Sequence, residues 1–227
     1  MTHGYTIFEP TGGDMLNEHP VIAEFASWAD SKNWKHQSPV LTLDAAEKFI
    51  GKYSRLSSVD IVSTIGFVAP CLEFIQVIER ELSNYSLKGV VEVGAGKGLL
   101  SAVLQRAGID SIATDIRPES FTRSCSITHM SAEEAIETYP DRAVLMSWPE
   151  PSYLPIEDPS PVGRQVLRDL KPGGLLFYIH DKHYTNERIL LQAMRMMCMQ
   201  VGQDQPLPVV AVDENVLRVF RKSPVPV

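Results

Sequence analysis

Residues 90–100 read Val90-Val91-Glu92-Val93-Gly94-Ala95-Gly96-Lys97-Gly98-Leu99-Leu100. The stretch begins with β-branched apolar residues, which are typical of a buried parallel strand. It then turns on three glycines at alternate positions, and an apolar pattern with helical spacing follows at once and ends before Gly108. The sequence therefore predicts a strand, a glycine loop and a helix. In such a unit a nucleotide-like ligand can approach the backbone closely and meet the free N–H groups of the helix.

Length and composition narrow the class of protein. The chain has 227 residues, 44% of them hydrophobic and 22% charged, which fits one sizeable core with an appended subdomain. The formal net charge of -7 disfavours a large nucleic-acid surface, and no apolar run approaches the roughly 20 residues that cross a bilayer. The N-terminus does not resemble a signal peptide, and Cys71, Cys125 and Cys198 form no CxxC pair. We expect reduced thiols in a cytoplasmic protein without membrane contact, with nucleic acid an unlikely partner and the oligomeric state open.

The pattern of elements changes near residue 87. Residues 1–86 are predicted to form a helical N-terminal extension or lid, and residues 87–227 an α/β domain. From Val90 onward, strands and helices alternate, which predicts a Rossmann-like, mostly parallel sheet with right-handed crossovers. Further strands are predicted at 111–115, 126–130, 143–148 and 175–179. Helices are predicted at 162–170 and 186–199, and a closing hairpin has arms at 209–212 and 216–220.

A ligand site is expected beyond the carboxyl ends of the first two strands. Asp115 ends the second strand, and its carboxylate can accept hydrogen bonds from both hydroxyls of a ribose. Ile116 beside it is placed to cover an adenine ring. A dinucleotide fingerprint requires G-x-G-x-x-G, but Leu99 occupies the position of its third glycine. A nicotinamide-dependent oxidoreductase is therefore disfavoured.

The pattern Glu-x-Gly-x-Gly-x-Gly at 92–98 resembles motif I of class I S-adenosylmethionine-dependent methyltransferases. The resemblance covers about residues 88 to 222 and includes Asp115, Leu170-Lys171-Pro172-Gly173-Gly174 and the closing hairpin. It implies a seven-stranded sheet whose last strand is antiparallel, with S-adenosylmethionine lying across the first two strands. The cofactor-binding residues that it implies are Glu92, Gly94, Ala95, Gly96, Gly98, Asp115, Ile116, Ser131, Ala132 and Ser147. Residues 131–133 fit an adenine-edge contact and an ordinary helix cap equally well.

The loop after the fourth predicted strand is expected to bind the methyl acceptor. Ser147-Trp148-Pro149 resembles an element of a sparsely characterised group of methyltransferase-like proteins, a similarity that names no substrate. We predict acceptor contacts from Trp148, Pro149 and Tyr153, although Trp148 also fits a wall that packs under the loop. Together with the resemblance, the composition predicts a methyltransferase acting on a small molecule. A protein or nucleic-acid methyltransferase and a non-catalytic binding module stay open.

The catalytic candidates are His180, Asp181 and Glu150. Histidine titrates near neutral pH, so His180 or Asp181 can orient or deprotonate an acceptor. Both residues also fit a solvated loop after the fifth strand. No metal site is predicted, because His180 and His183 lack a third ligand at a telling spacing.

Overall fold

The computed structural model describes residues 70–117, 125–147, 161–181, 188–208 and 215–224. Most of the predicted N-terminal extension and the first arm of the predicted hairpin lie outside these residues. The boundary predicted near residue 86 stays a prediction.

The described elements alternate between helix and strand along most of the chain. The helices are α1 (Leu72–Asn84), α2 (Leu99–Arg106), α3 (Ala132–Thr138), α4 (Pro161–Asp169) and α5 (Arg188–Met197). The strands are β1 (Gly89–Val93), β2 (Ser111–Asp115), β3 (Ile127–His129), β4 (Arg142–Ser147), β5 (Leu175–Asp181), β6 (Cys198–Gln200), β7 (Gln205–Pro206) and β8 (Asn215–Lys222).

The strands of the described residues form one eight-stranded sheet in the order β3-β2-β1-β4-β5-β8-β6, with β7 also paired to β8. Strands β1 to β5 pair in parallel, and β8 runs antiparallel to β5. This topology confirms the predicted α/β class and the antiparallel strand at the C-terminal end. The predicted strand 111–115 coincides with β2, and β4 and β5 differ from their predicted bounds by one or two residues.

The central strands are buried on both faces, as their nearly continuous apolar sequences predict. All five residues of β1 are buried. On one face, alternate residues of β1, β4 and β5 pack against α3, α4 and α5. This core includes Val91, Val93, Val144, Met146, Leu176, Tyr178, Ala135, Ile136, Val166, Leu167, Leu190 and Met194. Burial of this apolar surface stabilises the sheet, and the carboxyl ends of the parallel strands β1 to β5 lie at one edge of it.

The predicted helix over 186–199 is wrong at its C-terminal end. Helix α5 ends at Met197, and Cys198 begins β6, which pairs with Lys222 of β8. The apolar methionine pattern continues past this point, but the open edge of β8 offers backbone hydrogen bonds that local helical propensity does not outweigh.

The C-terminal antiparallel hairpin that the sequence predicts lies only partly within the described residues. The predicted arm at 216–220 lies within β8, and the arm at 209–212 lies outside the described residues. Among the described residues, β6 and β7 pair antiparallel with β8, at Gln200↔Phe220 and Gln205↔Leu217. Four residues, 201–204, therefore oppose two, 218–219, which makes a β-bulge. Both carboxylate oxygens of Asp204 accept hydrogen bonds from the Arg218 guanidinium at this bulge.

None of the described helices is long and apolar enough to cross a lipid bilayer. All three cysteines are free: Cys71 and Cys198 are buried, and Cys125 is partly exposed.

Candidate cofactor site

The carboxyl ends of β1, β2 and β3 meet at one edge of the sheet, because the three strands are parallel neighbours. Val93, the last residue of β1, pairs with Thr114 of β2 on one side and with Met146 of β4 on the other. The chain order reverses across this strand, which is where ligands bind in open α/β sheets. Residues 94–98 connect β1 to α2 at this point.

The first two glycines of the connection face open space. Gly94 has a φ of 65° and Gly96 a φ of 54°, which is the left-handed region that L side chains rarely adopt. A Cβ at either position would meet no atom of the described residues within 4 Å. The backbone of these two residues is therefore available for close approach by a ligand.

Gly98 is glycine for a different reason. Its φ is 72°, and it is the N-cap of α2. A Cβ there would lie 2.8 Å from Cys125 Sγ and 3.3 Å from Ile127 Cγ1. The packing of the loop against the start of β3 therefore requires a glycine at 98, independently of any ligand. Its predicted cofactor contact stays a prediction.

Asp115 holds the glycine loop in place. Gly96 N donates a hydrogen bond to Asp115 Oδ2 at 2.9 Å, and Ala95 N donates to Thr114 O at 3.0 Å. The other carboxylate oxygen, Oδ1, accepts from Arg117 N at 2.7 Å. Each carboxylate oxygen has two acceptor positions, so Asp115 can still accept hydrogen bonds from a ribose. Asp115, which the sequence predicts to bind a ribose, therefore also holds the backbone of the loop, and the residue types alone did not predict this second role.

Glu92 lies behind the loop rather than in it. Glu92 is only 3% exposed, and its Oε2 accepts a hydrogen bond from Ser101 N at 3.0 Å. Ser101 is the third residue of α2, so the carboxylate satisfies one of the N–H groups that a helix N-terminus leaves unpaired. The Ser101 hydroxyl lies 2.9 Å from that of Ser111 on β2. Any contribution of Glu92 to cofactor binding, which stays a prediction, would act through α2 and the loop.

The environment of Glu92 changes its acidity. Burial raises the pKa of this carboxyl from 4.5 to about 7, because removal from water disfavours the charged form. The hydrogen bonds from Ser101 act in the opposite direction, and the negative charge of Asp115 adds to the rise. A carboxyl that titrates near neutral pH therefore lies directly beneath the loop.

The far end of the site is formed by β2 and β3. Ile116 follows Asp115 and is 53% exposed. Met130 N donates to Asp115 O at 3.2 Å, and His129 Nε2 lies 2.9 Å from Ile116 O. The sequence places His129 near the end of the third strand but gives no sign of its contact with Ile116 O.

Ser131 and Ala132 open helix α3. The Ser131 hydroxyl accepts from Glu134 N at 3.2 Å, and the Glu134 carboxylate accepts from Ser131 N at 2.8 Å. This reciprocal capping box confirms the helix-cap interpretation of Ser131. Ala132 is 7% exposed and belongs to the core. A contact of either residue with an adenine edge stays a prediction, as does one of Ser147, which ends β4 half-buried.

The predicted catalytic and acceptor-binding residues are placed only in part. The His180 ring is 1% exposed and stacks on Tyr178, with centroids 5.0 Å apart and an angle of 17° between the ring planes. The backbone of Asp181 ends β5, but its side chain is outside the described part of the structure. Trp148, Pro149, Glu150 and Tyr153 also lie outside it. Among the described residues, no cluster of three or more His, Cys, Asp or Glu side chains could hold a metal ion.

No protein-family model and no curated protein sequence matches this chain. Solved structures that resemble it include the N-methyltransferase NodS from Bradyrhizobium japonicum WM9 in complex with S-adenosyl-L-homocysteine. The two chains are 15% identical, the alignment covers 78% of this chain and 98% of that chain, and the TM-score is 0.46. Magnesium protoporphyrin IX methyltransferase from Synechocystis PCC 6803 with bound SAM has 13% identity, 78% and 97% coverage, and a TM-score of 0.45. Burkholderia thailandensis 1,6-didemethyltoxoflavin-N1-methyltransferase has 15% identity, 89% and 87% coverage, and a TM-score of 0.39.

Proposed function

We propose that this chain is an S-adenosylmethionine-dependent methyltransferase whose acceptor is a small molecule. The observation that carries the proposal is the glycine loop itself. Gly94 and Gly96 present backbone with open space where a side chain would stand, and the carboxylate of the neighbouring strand clamps that backbone. An open glycine cradle beside a ribose-binding acid suits an adenosyl ligand without a phosphate.

The polar groups around the loop favour such a ligand over a dinucleotide. In dinucleotide-binding folds, a pyrophosphate lies against the N-terminus of the helix after the glycine loop. Here the Glu92 carboxylate already accepts the hydrogen bond from Ser101 N in the first turn of that helix. The buried Glu92 carboxyl behind the loop therefore adds negative charge, when it is ionised, near the helix N-terminus where a pyrophosphate would need positive potential. This arrangement argues against the nicotinamide-dependent alternative.

The described residues would divide the cofactor between them. Gly94, Ala95 and Gly96 would face its methionine part, Asp115 would accept from its ribose hydroxyls, and Ile116 would cover its adenine. When bound, S-adenosylmethionine supplies a methyl group that is already activated by its sulfonium sulfur. The protein then has to hold the acceptor in line with that group and to exclude water, since alignment supplies much of the rate.

The acceptor side of the proposal rests on the sequence. The net charge of -7 disfavours a long polyanion, and the element Ser147-Trp148-Pro149 with Tyr153 would form the acceptor wall. His180, Asp181 and Glu150 are the residues proposed to orient or deprotonate the acceptor. The buried position of the His180 ring means that this role would require the ring to become accessible when an acceptor binds.

Calorimetric titration tests the cofactor directly. We expect micromolar binding of S-adenosylmethionine and S-adenosylhomocysteine and no binding of NAD. Asp115→Ala should weaken binding by about 10-fold or more, since it removes two ribose hydrogen bonds and the clamp on Gly96. Asp115→Asn is the matched control, because it keeps one oxygen acceptor and should lose less. Unchanged affinity in a folded Asp115→Ala variant would refute the assignment.

A second assay tests catalysis and the acceptor class. Formation of S-adenosylhomocysteine with a small-molecule cell extract, absent in the Asp115→Ala variant, would support the proposed activity. Radiolabel that enters only the macromolecular fraction would instead indicate a protein or nucleic-acid methyltransferase. Cofactor binding without turnover in either fraction would favour a binding module.

A further inference from the structure

A histidine on the neighbouring strand holds the backbone of the predicted adenine-covering residue. His129 ends β3 and pairs with Asp115 in the parallel register. Its Nε2 lies 2.9 Å from Ile116 O. A carbonyl oxygen can only accept, so Nε2 must carry the proton and donate it. Both the neutral Nε2–H tautomer and the imidazolium satisfy this requirement, so the contact does not depend on the charge of the ring.

The hydrogen bond completes a set of contacts that fix the turn after β2. Asp115 O accepts from Met130 N at 3.2 Å, and Asp115 Oδ1 accepts from Arg117 N at 2.7 Å. These two bonds hold the residues on either side of Ile116, and the bond from His129 holds Ile116 itself. With its carbonyl oxygen fixed, the direction of the Ile116 Cα–Cβ bond is restricted as well.

The side chain that this turn presents does not belong to the hydrophobic core of the described residues. Ile116 is 53% exposed. An apolar ring bound over this turn would need an exposed apolar side chain whose direction is fixed. Ile116 offers one, on a turn held by hydrogen bonds and next to the carboxylate that binds the glycine loop.

We propose that His129 is a positioning residue for the nucleoside end of the ligand: by donating to the Ile116 carbonyl it sets the Ile116 side chain against the nucleobase. This inference rests on the proposed adenosyl cofactor. His129 itself need not touch the ligand, because it acts through Ile116.

Calorimetric titration with S-adenosylhomocysteine tests the proposal on the full chain. His129→Phe keeps a flat ring but removes the donor, and we expect it to weaken binding by about 3- to 10-fold. His129→Gln places an amide nitrogen near the position of Nε2 and should restore binding to within about 2-fold of the wild type. Thr128→Ala, on the exposed adjacent position of the same strand, is the control for general effects on β3 and should bind like the wild type.

A double-mutant cycle with Ile116→Ala separates positioning from a merely structural effect. Once Ile116 is truncated, His129→Phe should change affinity by less than about 2-fold, because its effect is transmitted through the missing side chain. Thermal unfolding measured alongside shows whether any loss follows stability instead. Equal loss in His129→Phe and His129→Gln, unchanged affinity in His129→Phe, or additive effects in the cycle would overturn the inference while leaving the cofactor assignment intact. Absence of binding in the wild type would overturn the cofactor assignment, and the inference with it.

Discussion

Substitution of Glu92 by glutamine should change the stability of the protein in a way that depends on pH. In the folded chain the pKa of Glu92 is raised from 4.5 to about 7, chiefly by burial. Between these two values the folded state holds a proton that the unfolded state has released. By linkage, the free energy of unfolding must then fall as the pH rises through this window and level off above it.

The magnitude follows from the size of the shift. One pH unit corresponds to about 1.4 kcal/mol, so a rise from 4.5 to about 7 lowers the stability at pH 8 by about 3 kcal/mol relative to pH 4. Glu92→Gln removes the titration but keeps an oxygen that can accept from Ser101 N. The variant should match the wild type near pH 4, exceed it by about 1 kcal/mol at pH 5 and exceed it by about 3 kcal/mol at pH 8.

Urea unfolding of the ligand-free wild type and Glu92→Gln at pH 5, 6, 7 and 8 measures this difference. All other titrating groups are common to both proteins and cancel when the two free energies are subtracted. Glu137→Gln, an exposed position on α3, reports what loss of a surface carboxylate does in general. A stability difference between Glu92→Gln and the wild type that stays flat from pH 5 to 8 would refute the reasoning.

Substitutions at four further positions test other parts of the structure. Gly96→Ala should lower the free energy of unfolding by about 1 to 2 kcal/mol, because alanine is strained in the left-handed region, and should abolish adenosylhomocysteine binding by filling the cradle. Gly98→Ala should lower the free energy of unfolding further and be partly rescued by Cys125→Ala, since its Cβ would lie 2.8 Å from Cys125 Sγ. Equal losses of stability at 96 and 98 in urea unfolding would contradict this. Arg142→Met should lose about 1 to 2 kcal/mol at pH 7, because Arg142 donates to both the carbonyl and the carboxylate of Asp110. Arg142 holds the pKa of Asp110 below its usual value, so this contribution exists at neutral pH and the deficit should narrow in acid as Asp110 protonates; a deficit that grows below pH 4 would contradict the assignment. Ser131→Ala should cost about 1 kcal/mol in thermal or urea unfolding through loss of the α3 cap, with Ser131→Asp recovering most of it, and equal losses in both would argue against capping.

The sequence was sufficient for elements whose local pattern and tertiary role agree. Strand β2 coincides with its prediction because its apolar residues are bounded by Gly108 and by Asp115. The cap of α3 was one of two alternatives that the sequence left open at Ser131, and the structure confirms it. The end of α5 was not predictable in the same way. Met196 to Met199 continue an apolar pattern, and only the position of β8 in space turns Cys198 into a strand residue. The bulge between β6 and β7 depends on the same pairing.

The contacts of the site were predicted less fully than its location. Asp115 and the glycines were predicted as binding residues because a strand end followed by a glycine loop marks a candidate ligand site in an α/β sheet, and their ligand contacts stay predictions. The distinction between Gly96, which faces open space, and Gly98, which packs on Cys125, requires the position of residues 27 apart in the chain. The contact of His129 was not predicted because its partner is a backbone carbonyl on the turn after β2, and residue types do not indicate such a contact.

The two carboxyl groups at the end of β1 and β2 give the loop a definite electrostatic preference. Asp115 is half-buried and hydrogen-bonded to two backbone N–H groups, whereas Glu92 is buried, accepts from Ser101 and has a pKa of about 7. The negative charge of Asp115 raises the pKa of Glu92, and a phosphate brought to the loop would add a further negative charge. A cationic group there would instead lower the pKa of Glu92 and stabilise its ionised form. The same arrangement that makes the ligand-free protein less stable above neutral pH therefore favours a positively charged ligand in the cradle.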